Sequence, residues 1–111
     1  MTTNDTNAPY APAPTTIGIL KGRLLNCGND LARRLYTDLT NHFVYIDYCK
    51  TLKEIEFRYG RCLYLYRTLY LSNYLTEEEE STIRLEAIEA RNRRLAAYRE
   101  SAARRAKRTR A

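Results

Sequence analysis

Tryptophan is absent from this chain of 111 residues, histidine and methionine occur once each, and cysteine three times. A lone His42 offers no second imidazole for a zinc site. Cys27, Cys49 and Cys62 are odd in number and show no CxxC spacing, which argues against a metal cage or a disulfide framework. They read as free, largely buried thiols of a reducing compartment. With one histidine and no Gly-rich loop, no nucleophile–base pair or phosphate cradle can be named, so neither an enzyme, a cofactor nor a small-molecule substrate is expected. The carboxylate run Glu77–Glu80 is the one cluster to consider, and helix capping accounts for it. No run approaches the roughly 20 apolar residues of a membrane span, and the N-terminus lacks a basic-then-apolar leader. The expectation is a soluble intracellular chain with no membrane partner.

Proline is scarce too, and all three copies stand in MTTNDTNAPYAPAPTT at residues 1–16. That stretch has almost no aliphatic side chains and cannot bury enough surface to fix itself, so a disordered arm is predicted. Thr15 or Thr16 then stands where a helix N-cap belongs. The remainder suffices for one small domain.

Charge is unevenly placed. Residues 91–111 hold nine Lys/Arg against the single Glu100, whereas residues 1–90 hold ten basic and twelve acidic side chains. Between Lys50 and Arg67 there is a smaller excess, five basic against two acidic. A basic tail, Ser101–Ala111, suits phosphate-bearing partners or an acidic surface, and also fits a nuclear-import signal.

What the chain has in quantity is helical periodicity. Ile17, Leu20, Leu24, Cys27, Leu31, Leu35 and Leu39 form one stripe between Ile17 and about Thr40. A break at Cys27–Asn29, with Asn29 or Asp30 capping a second segment, competes with close approach of another helix at Gly28. Thr40-Asn41 is the predicted turn, followed by a long central helix within His42–Leu75 that ends or bends near Tyr66–Leu69. Most of the ten tyrosines lie in this stretch. At 100° per residue, Tyr45, Tyr48, Leu52, Ile55, Tyr59, Cys62, Leu63, Tyr66 and Tyr70 share one side. Lys50, Lys53, Phe57, Arg61, Tyr64 and Thr68 share the other. Thr76 and Glu79 make a capping box that opens a last helix running to about Arg104, with a thin stripe of Leu85, Ile88, Leu95, Tyr98 and Ala102. The fold class is all-α: an antiparallel helical hairpin at 17–75, a short helix, and a charged helix with a basic tail at 76–111.

The tyrosine face is wider than one partner helix needs. Packing it against a second copy would give a two-fold four-helix bundle; packing it against Leu85 and Leu95 would give a monomeric three-helix bundle. Lys50, Lys53 and Arg61 span about 16 Å of helix at 1.5 Å per residue. Such a ridge fits the backbone of a double helix, or is simply a solvated polar face.

With the hairpin, the fold-back and the basic ridge in place, residues 17–80 resemble the RNA-silencing suppressors of the nodaviruses. Order and length carry the resemblance: apolar helix, long amphipathic helix, a short segment ending in Ser72-Asn73-Tyr74-Leu75, then acidic residues. The family's proline before the short helix is replaced here by Thr68 and Leu69, and Gly60 stands where a basic residue would be expected. The resemblance implies a homodimer that binds double-stranded RNA along its helices without sequence specificity, in the host cytoplasm. Lys53 and the Arg58–Arg61 region fall near that family's RNA-contacting positions. Lys50, Lys53, Arg58, Arg61 and Arg67 are then the phosphate contacts, Tyr64 and Thr68 the ribose contacts, and Tyr45, Tyr59, Tyr66 and Tyr70 the dimer interface. The alternative is a structural protein that docks by its tyrosines, with the Arg-rich helix on ribosomal RNA or an acidic partner.

Overall fold

Thr51 and Thr76 each stand three residues before a glutamate, and each opens a long helix. In the computed structural model, which describes residues 16–110, Thr51 Oγ1 accepts the Glu54 N–H at 3.1 Å and the Glu54 carboxylate accepts the Thr51 N–H at 3.1 Å. Thr76 and Glu79 repeat the exchange at 3.1 and 2.9 Å. Two of the otherwise orphaned N-terminal donors are satisfied each time. The helices are α1 (Thr16–Ile19), α2 (Lys21–Leu25), α3 (Asp30–Ile46), α4 (Leu52–Leu71) and α5 (Glu77–Arg110). No strand occurs among the described residues, and no helix there is long and apolar enough to cross a membrane. The predicted arm, apart from Thr16, lies outside the described residues, as does Thr15.

The break before α3 falls where the sequence places it. Gly28 takes φ +77°, and nothing lies within 4 Å of where its Cβ would be. Backbone conformation rather than close packing therefore explains this glycine. Asn29 Oδ1 then accepts the Ala32 N–H at 3.0 Å as the N-cap of α3.

The predicted turn at Thr40-Asn41 is not there. Helix α3 runs straight through it, and the chain reverses at 47–51 instead, where Thr51 caps α4. The Thr40 hydroxyl donates to the Tyr36 carbonyl at 3.0 Å, so this residue serves the helix it was expected to end. The stretch 42–75 is consequently shared between two helices. Tyr45 lies on α3, Tyr48 and Lys50 in the turn, and only the residues from Leu52 onward on α4. At its far end α4 stops in a Schellman arrangement. Asn73 adopts φ 67°, its N–H donates to Tyr70 O at 3.0 Å, and the Tyr74 N–H reaches back to Leu69 O at 2.9 Å. No separate short helix forms.

Contacts run in opposite senses along the two long pairs. His42 and Tyr45 meet Arg58, while Glu56 meets Arg91 and Arg67 meets Glu80. Helix α4 is thus the middle member of an antiparallel row, with α3 on one flank and α5 on the other. Ile46, Cys62, Leu65, Leu69 and Ile83 form the interior, closed at one end by Ile17, Leu20 and Leu24. A smaller cluster of Cys49, Ile55 and Leu95 sits under the 47–51 turn. The face α5 turns inward is Ile83, Ala87, Ala90 and Leu95, with Tyr98 packed beside it. Of the predicted stripe Leu95 and Tyr98 belong to this face, whereas Leu85 is 55% exposed. Alanines permit close approach of α5 to α4, where bulkier residues would hold the helices apart.

Candidate nucleic-acid interface

Because α3 and α5 take the two flanks of α4, one line of α4 is left outward. Lys53, Phe57, Gly60, Arg61 and Tyr64 recur along it at three- and four-residue spacing. Phe57 is 58% and Tyr64 59% exposed, and Gly60 leaves a notch between them with nothing within 4 Å of its missing Cβ. Lys53 is fully outward, Arg61 half-buried, and Lys50 stands exposed in the turn just before the helix. The ridge is therefore shorter than predicted: Lys53 to Arg61 on the helix, with Lys50 beyond its end.

Five arginines elsewhere on the body are paired with carboxylates, whereas Lys21, Arg34, Arg84 and Arg94 enter no ion pair among the described residues. Arg23 pairs with Glu79 at 2.7 Å, Arg91 with Glu56 at 2.7 Å, Arg93 with Asp47 at 3.1 Å and Arg67 with Glu80 at 3.5 Å; Arg33 pairs with Asp30. Among the described residues, Lys50, Lys53, Arg58 and Arg61 enter no ion pair. Aromatic rings hold the two arginines instead. The Arg58 guanidinium carbon lies 4.9 Å from the centre of the Tyr45 ring, and that of Arg61 5.3 Å from Tyr64. A cation held by a ring keeps its N–H edges available to an anion.

The remaining predicted contacts are placed differently. Arg67 turns toward α5 and Glu80, away from the ridge. The Thr68 hydroxyl donates to the Tyr64 carbonyl at 2.8 Å, leaving only its lone pairs for a ligand. Of the four tyrosines assigned to a partner molecule, Tyr45 is exposed, while Tyr59 and Tyr70 are half-buried against the chain's own core. Tyr66 is 3% exposed, and burial, then Glu80, push its hydroxyl up to about 12. Helix α5 occupies much of the surface the sequence left for a second copy.

Sequence reasoning passes over His42 as a ligand, because with no second imidazole it suggests nothing metallic. It sits on α3 beside Arg58, whose Nη1 is 3.1 Å from His42 Nδ1, and meets the Phe57 ring edge-on at 5.9 Å. Burial lowers its pKa first, then Arg58 and Arg61, against a weaker upward pull from Asp38. Spacing holds the missing signal: Asp38, His42 and Tyr45 lie at i, i+4 and i+7 on one helix face.

The basic C-terminal segment is no loose tail. Helix α5 continues unbroken to Arg110. Arg91, Arg93 and Arg94 are turned into the body; Arg94 Nε donates to the Cys49 carbonyl at 2.7 Å. Beyond Tyr98 the helix packs against neither core cluster, and Arg104 pairs with Glu100 at 2.8 Å.

Compared with known proteins, the chain matches no family model, no curated protein and no solved structure.

Proposed function

We propose that this protein binds double-stranded RNA without sequence specificity, along the outward line of α4 and its seam with α3. Its role would then be to sequester RNA, as a viral suppressor of RNA silencing acting in the host cytoplasm. One observation carries the reading. Lys50, Lys53, Arg58 and Arg61 lack carboxylate partners among the described residues and gather on α4 and the turn before it. Lys21, Arg34 and Arg84 also lack them but stand on three different helices, and Arg23, Arg33, Arg67, Arg91 and Arg93 are paired. Cations left unneutralised on one face are what a phosphate backbone needs. The exposed cations of α5 beyond Tyr98 add attraction from a second direction.

A homodimer belongs to the same proposal, by the end of the tyrosine face that α5 leaves uncovered. Val44, Tyr45, Tyr48 and Leu52 are exposed together at the tip of the α3–α4 hairpin. Two copies meeting tip to tip would set their cation rows end to end and lengthen the RNA-binding surface. Sedimentation of the wild-type chain, beside Tyr48→Ser, tests this part alone.

The RNA reading is tested by titrating duplex RNA, duplex DNA and single-stranded RNA at several salt concentrations. Lys53→Ala/Arg61→Ala should abolish the preference for duplex RNA. Removing one cation from a phosphate flattens the slope of log K against log salt by about 0.9 for duplex DNA, and a comparable change is expected for RNA. Removing residues 101–111 should weaken binding yet preserve the preference. The opposite pattern sinks the reading.

The exposure of Phe57 and Tyr64 around the Gly60 notch favours a second reading, a structural protein that docks a partner on this aromatic line. In that case Phe57→Ser would remove partner binding, and no nucleic acid would bind better than its charge alone dictates.

A further inference from the structure

The α3–α4 seam brings an imidazole and two guanidinium groups together without a carboxylate between them. His42 comes from α3, Arg58 and Arg61 from α4. We propose that these three side chains form one phosphate-binding cluster, filled by a backbone phosphate of the bound RNA, and that His42 takes up a proton as the cluster fills. This rests on the RNA-binding reading and adds to it a residue, a site and a pH dependence.

The arrangement is built before any ligand arrives. Tyr45 backs Arg58 and Tyr64 backs Arg61, at 4.9 and 5.3 Å from guanidinium carbon to ring centre. The Phe57 ring meets His42 edge-on, at 5.9 Å and 76°. All three polar groups are half-buried, so they are partly desolvated yet reachable. Planar guanidinium forks match phosphate oxygens, and a protonated imidazole adds another charged donor.

In the free protein the cluster is in conflict. The N–H of Arg58 Nη1 lies 3.1 Å from His42 Nδ1, a hydrogen bond that requires a neutral ring with its lone pair on that nitrogen. Protonating the ring would break that bond and add a third cation. The charged groups bearing on His42 are Arg58 and Arg61 from α4 and Asp38 from its own helix; the two arginines and burial outweigh the one carboxylate. An anion between them reverses the balance. It screens the two arginines from the ring, gives Arg58 a new acceptor, and favours a donor on Nδ1. Linkage then makes the effect reciprocal: if phosphate favours the protonated ring, the protonated ring favours phosphate by the same factor. Affinity must therefore rise as pH falls through the range of this histidine, by at most about tenfold per pH unit for one proton.

Because the chain has a single histidine, its ring proton resonances report on His42 without assignment. The experiment titrates the full chain from pH 8 to 5.5 by proton NMR, free and saturated with a duplex RNA lacking terminal phosphates, and measures duplex affinity over the same range at fixed salt. The expected result is an upward shift of the His42 midpoint on binding, tighter binding at lower pH, and a flattened pH dependence in His42→Gln. RNA binding with an unmoved midpoint and no pH dependence overturns the cluster and leaves the RNA reading standing. If no RNA binds at any pH, that reading fails, and inorganic phosphate decides the cluster alone. A His42 midpoint raised by phosphate, and not by chloride at equal ionic strength, supports it; an unmoved one overturns it. The wild-type titration depends on no variant folding correctly.

Discussion

The Nε–H of Arg94 donates to the carbonyl oxygen of Cys49 over 2.7 Å, tying the middle of α5 to the turn that joins α3 and α4. Arg93 reinforces the tie with three hydrogen bonds to Asp47 at 3.1 to 3.2 Å, and Arg91 with two to Glu56 at 2.7 and 3.3 Å. Three arginines that read as tail charge in the sequence are in fact the clasp between α5 and the hairpin.

Arg94→Ala should cost roughly 1.5–3 kcal/mol, the range for hydrogen bonds to charged groups, since a partly buried carbonyl loses its donor. Arg93→Ala, whose partner Asp47 is exposed to water, should cost no more than about 1 kcal/mol. Urea denaturation of the two variants compares them directly. Equal losses would mean that the Cys49 carbonyl finds water as easily as Asp47 does.

Thr51→Ala and Thr76→Ala should each lower stability by about 0.5–2 kcal/mol. The two caps stand at opposite ends of α4, which spans about 30 Å at 1.5 Å per residue, so their effects should add. A double variant much less destabilised than the sum would show that the caps share one cooperative element.

These caps also show what is legible in the sequence. Thr76 and Glu79 read as a box, and the structure has one. Thr51 and Glu54 carry the same three-residue signature, but the run of aromatic residues around them suggests one uninterrupted helix and pushes the expected turn back to Thr40-Asn41. Periodicity alone cannot distinguish a helix that continues from two that reverse, when both are amphipathic. The helical class and the break at Gly28 are readable because each depends on local chemistry. Which face α5 covers is not, because Ala87 and Ala90 carry little hydropathic weight and are buried for their small size. At the candidate interface, Lys53 and Arg61 are readable as a ridge. The pairing of Arg67 with Glu80 and the seat of His42 depend on contacts between helices.

Ala87→Leu should destabilise the fold by about 1–3 kcal/mol through overpacking against α4. Leu85→Ala, two residues away on the outward side, should stay within about 0.5 kcal/mol of wild type. Thermal unfolding of both variants tests whether α5 is seated as described. A tolerated leucine at position 87 contradicts that seating.

Of the three thiols only Cys27 is exposed. Burial pushes the Cys62 thiol up to about 12, and raises that of Cys49 as well. Reaction with a thiol reagent at neutral pH should therefore modify Cys27 quickly, and the other two only on unfolding. Rapid modification of all three in native buffer would show that the interior opens far more readily than its packing implies.

The order of the row has a consequence for the nascent chain. Helix α4 emerges from the ribosome before α5, so Cys62, Tyr66 and Leu69 meet water while the helix that will cover them is still being made. At about 5–20 residues per second, that interval lasts seconds. During it the hairpin presents an uncovered apolar flank to solvent and to other copies of itself. The four acidic residues that lead α5 are the first part of the cover to arrive, and their charge keeps that end of the chain in solution until Ile83 and Ala87 can seat.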